Sequence, residues 1–233
     1  MSRGGGGQVN DADHGSDVRA WLRGIEVFAG PLCAFEPEHA PADPVRLFLS
    51  WLSDAVADGL RDPHAMTLST VDEAGDPDAR VLVLKAVDGS GWQFAGHGFS
   101  PKGHQLAVHP RAALTFYWPE HGRQVRLRGP VAPRPARDSA ADFLGRSATA
   151  RAESLLARQS QYLADTAERD HALEKALALV EREPSLVDSA WTLYTLAPVE
   201  VEFWQAAKNR VHTRLRYERT GTDGHWERYR LWS

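Results

Sequence analysis

The stretch from Met66 to Gly129 constrains the fold more than any other part of this chain. Met66-Thr67-Leu68-Ser69-Thr70-Val71 is followed by Asp72-Glu73-Ala74-Gly75-Asp76-Pro77 and then by Arg80-Val81-Leu82-Val83-Leu84-Lys85. β-branched and aliphatic residues fill both arms, while Asp, Gly and Pro fill the connection, where positive or pre-set φ angles are useful, so the segment reads as a hairpin. Three more strand-like runs follow, over residues 92–95, 113–118 and 124–128. Five strands in about sixty residues predict a small antiparallel barrel. In the last run Val125 and Leu127 share one face and Gln124, Arg126 and Arg128 the other. A cationic barrel face expects an anion.

A helix is predicted to begin at Asp43-Pro44, because Asp is a good N-cap and Pro is tolerated at the first helical position. Val45, Phe48, Leu49, Leu52 and Val56 then fall on one face at helical spacing. Ser100-Pro101 marks a second helix start, and its free backbone N–H groups, with Lys102 beside them, fit either a phosphate site or a capped surface helix. Gly96-His97-Gly98 does not open a dinucleotide fingerprint: Pro101 stands at the third glycine position and no βαβ unit follows.

After Gly129 the composition turns to Ala, Arg, Glu and Leu, and residues 139–144, 149–163 and 170–183 read as helices. The last carries Leu173, Leu177 and Val180 on one stripe. Strand character resumes at 191–196 and 199–205. Over 210–217 a period of two puts Arg210, His212, Arg214 and Arg216 on one face, as an anion ladder or an exposed strand face. A turn at 220–224 then leads into 226–231 and closes a final hairpin. The expected class is mainly β with packed helices (α+β), with a flexible N-terminal arm over 1–40 and one domain over 41–233 that includes the hairpin.

Composition narrows function more than fold. Lys and Arg number 27 against 31 Asp and Glu, a net charge of −4, so no general basic field argues for nucleic acid. The sole cysteine, Cys33, excludes an internal disulfide and a cysteine-rich zinc site and fits a reducing, cytoplasmic setting. No apolar run approaches the ~20 residues of a membrane span, and Met1 to Gly7 lacks the apolar core of a signal peptide. His97, His104, His109 and His121 form no His-x-x-x-His pair with an acid, so no metal site is expected. No Gly-x-Ser-x-Gly element supports a hydrolase.

Arg80 to Lys85, Ser100-Pro101-Lys102-Gly103, Tyr117-Trp118, Arg123-Gln124-Val125, Arg158-Gln159-Ser160, Glu202-Phe203-Trp204-Gln205 and Arg210-Val211-His212-Thr213-Arg214 recur in an order and spacing that resembles the pyridoxamine/pyridoxine 5′-phosphate oxidases. The resemblance runs from about residue 44 to 232 and implies an FMN-binding split barrel, a homodimer with flavin at the subunit interface. It implies FMN contacts from Arg80, Val81, Leu84 and Lys85, from Ser100 and Lys102 near the phosphate, and from Gln124, Gln159, Ser160, Trp204 and Arg214. It places Arg210 and His212 over the flavin as the catalytic pair, with Lys85 and Arg146 also at the substrate. FMN offers a phosphate dianion suited to Lys, Arg and a helix N-terminus. Strict alternation, however, puts Arg80 and Lys85 on opposite strand faces, so both reach one flavin only through a bulge, a strand end or a second chain.

Three departures bear on the substrate. Pro101 stands where the family usually has Arg, removing a guanidinium and a backbone N–H. The tyrosine, arginine and serine that hold the phosphate in vitamin B6 oxidases match Asp142, Arg146 and Ala150, and an aspartate repels a phosphate. The resulting expectation is an FMN-dependent oxidase that takes a hydride from a reduced, phenazine-type heterocycle and passes electrons to molecular oxygen, giving hydrogen peroxide. Two alternatives stand beside it: genuine pyridoxine 5′-phosphate oxidation, and a flavin-binding sensor or carrier without turnover.

Overall fold

The computed structural model describes residues 18–220 and 224–233. In chain order these form α1 (Val18–Gly24), α2 (Pro44–Ala57), β1 (Ala65–Val71), β2 (Pro77–Val83), β3 (Ala86–Asp88), β4 (Gly91–His97), α3 (Pro101–Val108), β5 (Arg111–Trp118) and β6 (Arg123–Pro133). There follow α4 (Ala136–Leu144), α5 (Ala148–Leu155), α6 (Thr166–Arg182), β7 (Trp191–Leu196), β8 (Glu200–Gln205), β9 (Thr213–Thr220) and β10 (His225–Arg230).

The predicted hairpin is β1–β2, in a register that pairs Leu68 with Arg80. Its return strand starts earlier than the apolar run and stops at Val83, because the chain bends there: Leu84 N–H donates to His64 O at 2.9 Å and Lys85 N–H to Gln93 O at 2.8 Å. Counting β2 and β3 as one bent strand, antiparallel pairing closes a circuit of six, β1, β2/β3, β4, β7, β6 and β5. This is the split barrel. Its divergence point is Gly129 of β6, where residues 123–128 pair with β8 and 131–133 with β7. A Cβ at Gly129 would stand 2.1 Å from Ala197 O, so only glycine lets the two branches approach. Beyond β8, strands β9 and β10 extend the sheet.

Helix α2 plugs the barrel. Asp43 caps it, its carboxylate accepting from Val45 N–H at 2.9 Å. The buried face is Pro44, Leu47, Phe48, Trp51 and Ala55, whereas Leu49 and Val56 of the predicted stripe are exposed. Two aromatic rings decide the rotation: Phe48 packs 4.8 Å from Phe116 and 5.5 Å from Trp92, and Trp51 lies 5.2 Å from Phe203 with Arg123 over its other face at 4.5 Å. Each such ring contributes roughly 2–3 kcal/mol by burial, more than either exposed aliphatic would return.

The helices after the barrel also shift. The one predicted at 149–163 ends at Leu155, so Gln159 and Ser160 lie in an irregular turn rather than on a helix. The predicted strand at 210–217 begins only at Thr213, which leaves Arg210 and His212 in a loop. In the closing hairpin, β9 and β10 pair as expected, and residues 221–223 of its turn lie outside the described residues. Residues 1–17 of the expected arm are likewise outside them. The rest of that arm touches the domain: Phe35 packs on Trp51, Arg228 donates to Ala40 O, and Arg230 meets Glu38 at 2.8 Å. No described helix is long and apolar enough to cross a membrane.

Candidate active site

Three groups of predicted residues gather in the fold. The first sits where β2 meets the N-terminus of α3. Ser100 caps that helix, its Oγ accepting from Gly103 N–H and donating to His97 O at 2.6 Å. Lys102 folds back, Nζ donating to Ser100 Oγ at 3.1 Å and to Gln159 Oε1 at 3.3 Å. Gly96 makes room for it, because a Cβ there would lie 2.6 Å from Lys102 Cε. Burial and then the neighbouring Arg80 charge push the Lys102 ammonium below its usual range, with Glu153 acting the other way. Arg80 donates to Leu68 O and Gln105 Oε1 and makes close contacts with Thr70 and Asp78. Two cations and a helix N-terminus thus converge without full compensation.

Lys85 belongs to the second group. The bend after β2 turns Lys85 toward α4, and its Nζ stands 3.3 Å from Asp142 Oδ1. The other carboxylate oxygen accepts from Trp191 Nε1 at 2.8 Å, and the Arg146 guanidinium stacks 3.9 Å from the Trp191 ring. Burial holds Arg146 below its usual range, opposed by Glu153, Asp142 and Asp188. Because Glu153 acts on both Lys102 and Arg146, the first two groups adjoin. Val81 points outward, Leu84 is half-buried, and Ala150 offers only a methyl group.

The third group lies across the sheet. Gln124 of β6 faces Trp204 of β8, which faces Arg214 of β9. The His212 ring is 4.8 Å from Trp204, and its Nδ1 accepts from Ala207 N–H at 3.0 Å, so a neutral ring carries its proton on Nε2. Phe28 completes the cluster, 5.9 Å from Trp204. Arg210 sits in the loop before His212 with φ 67°, and Ser160 has φ 64°. Such left-handed non-glycine residues store roughly 1–3 kcal/mol each and gather at functional sites. Arg80 and Trp204 are separated by β1, β5 and β6, four strand spacings or roughly 19 Å along the curved sheet, and among the described residues no hydrogen bond or ring contact joins the first group to the third.

The cationic face does not wait for an external anion along its whole length. Glu202, 2% exposed, accepts from Arg126 at 2.8 Å and Arg214 at 2.9 Å and lies 3.4 Å from Arg216, while Glu200 pairs with Arg128 at 2.8 Å. Burial raises the Glu202 carboxyl, but the Arg214 and Arg126 hydrogen bonds and charges outweigh it and hold the group below its usual range. Reading the cations alone missed these partners, although Glu200 and Glu202 alternate in phase with them on the neighbouring strand. Phe28 left no signal, because the stretch around it has no periodicity.

Residues 52–185 match the family described as Pyridoxamine 5′-phosphate oxidase, and residues 191–233 match the Pyridoxine 5′-phosphate oxidase C-terminal dimerisation region. Among curated relatives, the pyridoxine/pyridoxamine 5′-phosphate oxidase of Pseudomonas paraeruginosa is 42% identical over 200 residues, covering 83% of this chain and 90% of that protein. The enzyme of the same name from Thermosynechococcus vestitus is 43% identical over 196 residues, with 83% and 90% covered. Among solved structures, PhzG from Burkholderia lata, in complex with tetrahydrophenazine-1-carboxylic acid, superposes with a TM-score of 0.81 at 31% identity, covering 88% of this chain and 99% of that one.

Proposed function

The chain belongs to the pyridoxamine 5′-phosphate oxidase family, and on that premise we propose that it is an FMN-dependent oxidase acting on a reduced heterocycle that carries no phosphate. The first group fits the phosphate of such a cofactor: Lys102 is desolvated beside Arg80 with no carboxylate among the described residues in hydrogen-bonding contact, and Ser100 caps the adjoining helix. Arg80, Ser100, Lys102, Gln159 and Ser160 would hold the phosphate end, with Val81 on β2 and Leu84 and Lys85 in the bend after it. Gln124, Trp204 and Arg214 would hold the ring. FMN, when bound, accepts the hydride and returns the electrons to oxygen, giving hydrogen peroxide.

Because the two sets lie on distant strands, the complete site draws one set from each subunit of a homodimer. The C-terminal match to a dimerisation region supports this reading. We take residues 41–233 as the catalytic unit, with the preceding forty contributing Phe28 beside His212. His212, fixed through Nδ1, presents its Nε2–H as a hydrogen-bond donor, and Arg210 supplies a cation for an anionic substituent.

The observation that carries the substrate choice is the phosphate-holding trio. Of its three positions only Arg146 keeps a phosphate-binding side chain; Asp142 and Ala150 do not. The likeness to PhzG supports a carboxylated tricycle of the phenazine type. The second reading, oxidation of pyridoxine 5′-phosphate, is favoured by the names of the relatives above 40% identity. Oxygen uptake with pyridoxine 5′-phosphate against a reduced dihydrophenazine carboxylate separates them. A micromolar Michaelis constant for the vitamin phosphate, with no turnover of the tricycle, replaces the first reading by the second.

A further inference from the structure

Asp142 does more than omit a phosphate ligand. Its two oxygens are both engaged, one 3.3 Å from Lys85 Nζ and the other 2.8 Å from Trp191 Nε1. Both partners of the ion pair are sheltered, with side chains 28% and 14% exposed, so their attraction is screened less than a surface pair. Trp191 in turn is the platform under the Arg146 guanidinium, at 3.9 Å. A single carboxylate therefore cancels one cation of the cluster and orients the plane on which the other rests. Two further carboxylates act on Arg146, while the Arg151 guanidinium, over the same Phe143 ring, is engaged by Pro184 O and Leu186 O. Glu153 lies on α5, and Asp188 is held by Ser154 Oγ at 3.0 Å and lies 3.3 Å from His97.

A phosphate dianion entering here meets Arg146 with three carboxylates around it and a lysine already paired. One carboxylate on a flat ring needs only the one cation that remains. We propose that Asp142 determines the charge class of the substrate, holding Lys85 and, through Trp191, Arg146, so that the site accepts a heterocyclic monocarboxylate and turns away a phosphate monoester. This inference rests on the substrate reading given above.

The test is D142N in the FMN-saturated dimer. Asparagine keeps an oxygen for Trp191 but has no charge for Lys85. KM and kcat are measured for pyridoxine 5′-phosphate and for pyridoxine, with calorimetric binding of inorganic phosphate alongside. D142N is expected to lower KM for the phosphorylated substrate at least about tenfold, the equivalent of ~1.4 kcal/mol, and to tighten inorganic phosphate in parallel. Pyridoxine should change less than about twofold, which a merely structural disturbance would not achieve. The gain should vanish in D142N/K85M, because Lys85 is the cation released. A phosphate KM unchanged in D142N at equal flavin content, or a gain that survives K85M, overturns the role given to Asp142 while leaving the substrate reading in place. A wild-type enzyme that already prefers the vitamin phosphate overturns the substrate reading itself.

Discussion

Phe28 meets the imidazole of His212 edge-on, with ring centroids 6.1 Å apart and planes at 69°. The contact joins a stretch that precedes α2 to the loop before β9, and Trp204 lies against both rings. Phe28 holds φ at 56°, a cost that the aromatic cluster offsets.

The first prediction concerns that cluster. An edge-to-face pair contributes roughly 0.5–1.5 kcal/mol beyond burial, so F28A should raise KM about two- to tenfold with little change in bound flavin. Steady-state kinetics and the flavin absorbance ratio check it. Equal KM in wild type and variant means that Phe28 does not order the site.

Lys102 gives FMN binding a pH dependence. Its proton is held less tightly than in a solvated lysine, and a phosphate dianion binds best while that proton is present. Affinity for FMN should therefore fall as pH rises, beginning below the usual lysine value of 10.5. Fluorescence titration of apoprotein from neutral to alkaline pH should show this decline in wild type and a flatter, weaker profile in K102M.

Glu202 anchors the arginine ladder. E202Q leaves Arg126, Arg214 and Arg216 around a neutral amide in a buried place, at a cost of about 2–4 kcal/mol. The carboxyl is depressed below its ordinary 4.5, so its stabilisation is present above that pH and lost as pH falls through the folded value. Denaturant midpoints should show wild type more stable at neutral pH and the difference shrinking in acid. A midpoint equal to wild type at pH 7 refutes the anchoring role.

Tyr217 sets the alkaline limb. Its hydroxyl donates to Pro41 O at 2.7 Å, and burial pushes its pKa up from 10.0 to about 12. The unfolded chain ionises first, so stability present below pH 10 is lost as pH rises toward 12. Y217F should cost about 1 kcal/mol at neutral pH and flatten that alkaline loss. Urea melts at pH 8 and pH 11 provide the comparison.

Much of this fold is legible locally. The β1–β2 hairpin, the caps at Asp43 and Ser100, and the apolar face of Val125 and Leu127 follow from turn chemistry, capping and two-residue alternation, all of which act over a few residues. The errors have a common origin. Phe48 of the predicted stripe is buried, but Leu49 and Val56 gave way to Leu47 and Trp51, because the ring partners that set the rotation, Phe116, Trp92 and Phe203, lie on distant strands. Gln159-Ser160 and Arg210 looked regular in sequence, but they lie in turns, with φ positive at Ser160 and Arg210, and spacing of residue types carries no signal for that backbone.

The sequence by itself determined most of the strands, the capped helix starts at Pro44 and Pro101 and which residue types suit an anion and a flat ring, because those depend on spacing and side-chain chemistry. Only the tertiary structure decided how charge is distributed among them. Glu202 neutralises the ladder from a neighbouring strand, and Asp142 of α4 takes Lys85, 57 residues away in sequence. Ion pairing depends on distance in space and on the exclusion of water, and neither is written in the order of the residues.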